Sequence, residues 1–171
     1  NNNNCNNVVT NNIVVNNFGN ENMSFLRNRD RQYKLFITNI LKEGFSGLQK
    51  YIQYKYCNPK HEENLTVKYT NKRHKDILIR KNNKWITANT DYVLDEIYNW
   101  DKNVEEVLTI YEKIFDLENV PKMDSIQENF VKNLETIYCD EIVNTLEKAK
   151  QNTLHELYDC YANNKSLYKP E

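Results

Sequence analysis

Apolar residues first recur at helical spacing between Arg31 and Leu41, where Tyr33, Phe36, Ile37, Ile40 and Leu41 share one face and Gly44 follows as a stop. Phe45, Leu48, Ile52 and Tyr56 repeat the spacing, with Ser46 placed to cap the helix and Asn58-Pro59 placed to end it. Joined by Glu43-Gly44, the two predicted helices form a short helix-turn-helix. After Pro59 the period shortens to two. Leu65, Val67 and Tyr69 alternate with Thr66 and Lys68, and the runs Ile77-Leu78-Ile79 and Trp85-Ile86 follow. Turns fall at Thr70 to Lys75 and at Asn82-Asn83, so the pattern predicts a small antiparallel sheet. Thr90 followed by Asp91 is a helix start, because Thr90 accepts from orphan backbone N–H groups and Asp91 sits at the positive end of the dipole. From there Val93, Leu94, Ile97, Val104, Val107, Leu108, Tyr111, Ile114 and Phe115 carry one stripe. Val120-Pro121 breaks it. Asp124 or Ser125 then opens a second stripe through Ile126, Phe130, Leu134, Ile137, Ile142, Leu146, Ala149, Leu157 and Tyr161. Two long amphipathic helices with a short link predict an antiparallel helical hairpin.

The fold class expected from this pattern is α+β: a helix-turn-helix with a small antiparallel β-sheet, winged-helix-like in plan, followed by the helical hairpin. Residues 1–23 read as an Asn-rich extended arm, 24–87 as a basic unit and 88–171 as an acidic unit packed with it as one domain. The arm carries twelve Asn within residues 1–22, broken by Val8-Val9-Thr10 and Ile13-Val14-Val15, β-branched runs suited to adding a strand to another segment or another copy.

Charge divides the chain more sharply than its total of −1 suggests. Residues 24–87 hold fifteen Lys/Arg against five Asp/Glu, a net of +10, and residues 88–171 hold eight against eighteen, a net of −10. Such asymmetry points to a polyanionic partner for the basic half, unless the two halves neutralise each other within the fold. The cationic candidates cluster on and beside one hairpin: Lys72, Arg73, His74 and Lys75 at its tip, with Arg80, Lys81 and Lys84 beside it, and Lys50 and Lys55 on the helix before. In a winged-helix plan one helix enters the major groove and the wing touches phosphates, where Lys and Arg act by releasing counterions.

Catalytic chemistry finds little footing. Only three Gly occur in 171 residues, and no phosphate-binding or dinucleotide loop is present. Paired carboxylates such as Glu62-Glu63, Glu105-Glu106 and Asp140-Glu141 diverge by about 100° on a helix and converge on no substrate atom. Cys57, His61 and His74 supply three potential metal ligands where a zinc site generally takes four, and no C-x-x-C occurs. Cys5, Cys57, Cys139 and Cys160 are expected as free thiols, since a chain with this apolar content does not need staples. No window approaches the roughly 18 apolar residues of a membrane span, and the expectation is a soluble, intracellular, non-enzymatic protein with no cofactor, no metal and no small-molecule substrate.

The segment Asn16-Asn17-Phe18-Gly19-Asn20-Glu21-Asn22-Met23-Ser24-Phe25-Leu26 resembles the NNFGxExxSxL signature of an uncharacterised protein family of nucleocytoplasmic large DNA viruses, the mimivirus-like giant viruses. That family continues with a PENxN motif opening a strand, a strand pair ending in Trp, and a helix resembling "eildeiy". Here Glu63-Asn64, Ile77-Leu78-Ile79, Lys84-Trp85 and Val93-Leu94-Asp95-Glu96-Ile97-Tyr98 follow in the same order, with Glu62 at the Pro position and Thr66 at the second Asn. The resemblance spans roughly residues 13–98. It implies a viral origin, a place in the host cytoplasm (the virus factory) or the virion, and association with nucleic acid through the zinc finger that many relatives carry upstream of the first signature.

The leading functional expectation is therefore a viral nucleic-acid-associated module, with DNA as partner. The alternative is a structural or protein-interaction module that self-assembles through its acidic helical half. Aromatic bulk beyond a single seam, including Tyr98, Trp100 and Tyr158, predicts a symmetric homodimer through Phe130, Leu134, Tyr138, Tyr111 and Phe115.

Overall fold

A computed structural model describes residues 13–140 and 144–170. The Asn-rich arm before Ile13, with Cys5 and Val8-Val9-Thr10, lies outside the described residues, as does Ile142. The α+β class is correct: helices enclose a small three-stranded antiparallel sheet.

Helices α1 (Arg31–Lys42) and α2 (Phe45–Tyr56) form where the apolar spacing places them. Their junction turns on Gly44, whose φ of +62° suits glycine. Ser46 does not cap α2. Instead the Phe45 N–H donates to Asn133 Oδ1 at 2.8 Å, a partner 88 residues away. Gly47 lets the two helices cross closely, because a Cβ there would lie 1.9 Å from the Ile40 carbonyl oxygen.

The sheet is β1 (Val67–Lys68), β2 (Asp76–Lys81) and β3 (Lys84–Asn89), in that order. Lys81 faces Lys84 across Asn82 and Asn83, both at positive φ, as a tight I′ hairpin requires. Val67, Ile77 and Ile79 join the main core. On the other side of the sheet, Leu65 and Trp85 pack with Cys160 and Tyr168 from the C-terminal segment.

The predicted helical hairpin is broken into pieces. The first stripe is α3 (Thr90–Ile97), a π-helical turn (Trp100–Val104) and α4 (Glu105–Ile114); the second is α5 (Ser125–Tyr138) and α6 (Thr145–Asn163). Asn99 causes the first break: its side chain accepts the Asp101 N–H at 2.9 Å and starts a new turn. The widened turn brings Asn103 inward, where its Nδ2 donates to the Ile97 carbonyl left over by α3, at 2.7 Å. α3 is capped by Asn89 rather than Thr90; α5 starts at Ser125 with Asp124 as its cap, the two starts expected for it, and a reciprocal Asp124/Gln127 capping box closes its first turn. α1 lies against both α4 and α5, so helices of the basic half are interleaved with those of the acidic half around one core.

α2 is the central helix, with seven of its twelve residues buried: Phe45, Gly47, Leu48, Tyr51, Ile52, Lys55 and Tyr56. Its surface is limited to the strip formed by Ser46, Gln49, Lys50, Gln53 and Tyr54. Three of the five residues expected at a dimer interface lie in the chain's own core. Phe130 and Leu134 are fully buried and Tyr111 is 4% exposed, all within the chain's own core, and Tyr138 is half-buried with its hydroxyl donating to the Tyr98 carbonyl at 2.5 Å. Phe115 alone of the five is exposed.

Cys57 and Cys160 form a disulfide, with Cα atoms 5.9 Å apart, against the expectation of free thiols; Cys139 is free and exposed. The meeting of the C-terminal ends of α2 and α6, which no local pattern encodes, makes the pairing.

Candidate nucleic-acid interface

The basic residues do not form one cluster. The turn between β1 and β2 carries Lys72, Arg73, His74 and Lys75, all exposed. Lys81 and Lys84 flank the turn between β2 and β3, at the opposite end of β2. Six residues of extended chain put the two poles about 20 Å apart.

The first pole is ordered by the chain's own polar groups. Tyr69 Oη donates to the His74 carbonyl at 2.9 Å, the Arg73 N–H donates to Asn71 Oδ1 at 3.0 Å, and the Lys75 carbonyl accepts the Thr90 N–H at 2.9 Å. Lys72 pairs with Asp159 of α6 at 3.6 Å and lies over the Tyr158 ring. That pair is exposed at both ends and so contributes little, leaving the ammonium open to exchange for a phosphate.

Two expected cations are withdrawn into the fold. Arg80 is 5% exposed: its Nη1 donates to the carbonyls of Lys169 and Pro170 at 3.4 and 3.1 Å, and its guanidinium lies over the Trp85 ring. Lys55 is 6% exposed, with Nζ 2.8 Å from Asn103 Oδ1 and 2.9 Å from Glu106 Oε1. Lys50 stays on the surface, paired with Glu43 at 2.6 Å. Arg29–Asp116, Lys55–Glu106 and Lys72–Asp159 are ion pairs that join the two charge halves within one chain, so neutralisation is real but partial.

Lys55 belongs to a buried polar assembly. Glu106 also accepts from the Tyr51 hydroxyl, and Asn103 Nδ2 donates to Tyr56 Oη at 3.2 Å. Nearby, Glu21 is buried, accepting the Gly19 N–H at 3.0 Å and the Thr66 hydroxyl at 2.5 Å. Burial pushes the Glu21 carboxyl above its usual range, against the opposing pull of the Lys55 ammonium. Burial likewise holds Tyr51 and Tyr56 far above the ordinary phenol range, with Glu106 adding to the shift of Tyr51 and Glu21 to that of Tyr56. A cleft of about 380 Å³ opens beside this network, rimmed by Arg27, Glu96, Lys102 and Glu105. Sequence reasoning missed the assembly because its members come from residues 21, 51–56 and 103–106. One signal was present: Lys55 sits at i+7 from Leu48, on the apolar stripe of α2, where a charge needs a partner.

The segments Asn16–Leu26 and Glu63-Asn64 meet in space. Asn64 is fully buried; its Oδ1 accepts the Asn22 N–H at 2.8 Å and Asn16 Nδ2 at 3.1 Å, and its Nδ2 donates to the Asn22 carbonyl at 2.9 Å. Asn17 Oδ1 accepts the Asn82 N–H at 2.8 Å, and the Phe18 N–H donates to the Arg80 carbonyl at 2.8 Å. These residues therefore clamp the chain ahead of α1 onto the sheet, which accounts physically for their types. No group of three or more His, Cys, Asp or Glu among the described residues is arranged to hold a metal ion, and no helix among them is long and apolar enough to cross a membrane. Comparison with protein-family models, with curated proteins and with solved structures finds no match to this chain.

Proposed function

We propose that the protein is a non-enzymatic, nucleic-acid-associated module, of viral type by the resemblance of its Asn16–Leu26 and Glu63–Asn64 segments, that engages phosphates through the exposed turn Lys72 to Lys75. The observation that carries this reading is the turn itself: four basic side chains project from a backbone fixed by Tyr69, Asn71 and Thr90. A preordered cationic loop loses less freedom on binding than a mobile one. Lys81 and Lys84, on a hairpin tip that keeps a wing-like character, supply a second and separate contact. Arg80 and Lys55 take no part, because their charges are already used inside the fold.

The test is titration of labelled duplex and single-stranded oligonucleotides at several salt concentrations. Replacing Lys72, Arg73 and Lys75 together by Ala is expected to flatten the salt slope by about 0.7 to 0.9 per lost phosphate contact. Absence of salt-sensitive binding to either form at ~50 mM salt overturns the proposal.

Self-association is the second reading. A groove of about 450 Å³ lined by Trp100, Leu108, Met123, Val131 and Tyr138 supports it, since apolar surface of this kind marks contact sites.

A further inference from the structure

Helices α1 and α2 leave a run of half-buried rings on the outside of the basic half. Phe36 and Tyr54 lie 4.6 Å apart between centroids, Tyr54 and Phe25 6.1 Å, and Phe25 and Tyr33 6.3 Å. Phe25 stacks on His61 at 3.7 Å with the rings 9° from parallel. Phe25, Tyr33, Phe36, Tyr54 and His61 are each partly exposed, unlike Tyr51 and Tyr56 on the opposite side of α2. The run ends in a cleft of about 400 Å³ lined by Phe36 and Tyr54 together with Lys50, Gln53, Asn58 and Lys60. That volume falls within the range of small-ligand sites, roughly 300 to 1,000 Å³.

Charge and position select the occupant. Lys60 is exposed and Lys50 is held only by Glu43 at the surface, so both ammonium groups stand beside the rings. The carboxylates that follow His61 are occupied: Glu63 bonds His61 Nδ1 at 3.1 Å and Glu62 pairs with Lys169 at 3.4 Å. Cys57 on the cleft wall is bonded to Cys160, whose neighbour Asp159 meets Lys72 of the basic turn. Rings flanked by lysines suit unpaired bases with phosphates alongside. A duplex keeps its bases stacked and offers them no entry.

We infer that the Phe36–Tyr54 cleft is a base-stacking site and that the nucleic acid bound is single-stranded. This rests on the phosphate-binding reading of the Lys72 to Lys75 turn and assigns the strand type that the reading leaves open. Pyrimidine strands of either sugar have the required chemistry, and oligo(dT) and oligo(U) are compared to tell DNA from RNA.

The experiment measures anisotropy of labelled oligo(dT), oligo(U) and a duplex of the same length against four proteins: the full chain, Tyr54→Leu, Lys60→Ala and the Lys72/Arg73/Lys75 triple Ala variant. Tyr54→Leu is expected to weaken single-strand binding roughly ten-fold or more and duplex binding little, as loss of one stacked base does. Lys60→Ala, an exposed change that leaves the core intact, weakens single-strand binding by a smaller factor and flattens its salt slope by about 0.7. Ultraviolet crosslinking of oligo(dT) should join the strand to the peptide holding Tyr54, a result that a purely structural ring does not give. Duplex binding equal to or tighter than single-strand binding, with both variants neutral, overturns the inference while leaving the phosphate-binding reading intact. If no nucleic acid binds, that reading fails first.

Discussion

Replacing Lys55 by Met removes a buried charge while keeping the length and apolar stem of the side chain, so packing is nearly preserved. What is lost is specific. Asn103 Oδ1 loses its donor, Glu106 keeps only the Tyr51 hydroxyl among its bonds described above, and Glu21 loses the cation that offsets its burial. Breaking a buried pair from one side costs about 3–5 kcal/mol, and because the Glu106 side chain is 29% exposed, water reaches it and the lower end, about 3 kcal/mol, applies. For a domain of this size that is a fall in Tm of roughly 6–12 °C. The pH dependence separates charge from packing. Glu21 already has a folded-state pKa above its unfolded value, so the folded state holds that proton more tightly and stability falls as pH rises through this interval. Without Lys55 the upward shift grows, and the deficit of the variant is largest near neutrality and shrinks on acidification as Glu21 is protonated. Urea denaturation of both proteins across that range measures it. A deficit below about 1 kcal/mol at neutral pH, or one that widens on acidification, would refute the charge argument.

Other perturbations test separate parts of the structure. Gly47→Ala puts a methyl 1.9 Å from the Ile40 carbonyl oxygen, a backbone atom that cannot swing away, so a loss of about 3 kcal/mol is expected in urea denaturation. Asn64→Leu strands both backbone groups of Asn22, at about 1–3 kcal/mol each, and should make residues 13–22 sensitive to protease before the rest of the chain. Reducing the Cys57–Cys160 bond, which spans 103 residues, should lower stability by about 2–4 kcal/mol, whereas Cys139→Ser leaves the reduced and oxidised transitions unchanged. Met123→Asp, on the groove rim and 42% exposed, should abolish any dimer seen by light scattering without unfolding the monomer, while a mass of 20.5 kDa for the parent chain rejects self-association.

Local periodicity sufficed for α1, α2 and the β2–β3 hairpin, because each is specified by spacing and turn chemistry within about a dozen residues. It overran at Tyr98-Asn99. There an apolar stripe continues in the sequence across a gap, but the Asn99 side chain competes for the backbone and a π-helical turn resets the phase. The site was legible in type but not in place. Lys72 to Lys75 are as exposed as their turn suggested, whereas Arg80 alternates onto the sheet face that packs the C-terminal segment, as its pairing opposite buried Trp85 shows. Three of the five residues expected at a dimer interface lie inside for a similar reason. Phe130 and Leu134 looked like surplus apolar area only while α1 was assigned to a separate unit; with α1 inserted between α4 and α5, that area is consumed inside the monomer.

Arg80 is gripped from both directions, by Phe18 through its carbonyl and by Lys169 and Pro170 through its guanidinium. For a chain made from its N-terminus onward, this sets an order of events. The arm, α1, α2 and the three strands emerge first and can meet, yet the sheet face bearing Leu65 and Trp85 stays uncovered, with the Arg80 charge unquenched above it, until residues 160–170 arrive. That stretch is thus a clasp, made after the face it covers. A nascent chain paused before Tyr168 would carry an open hydrophobic face beside the exposed β3 edge, the form of this protein most prone to pair with its neighbours.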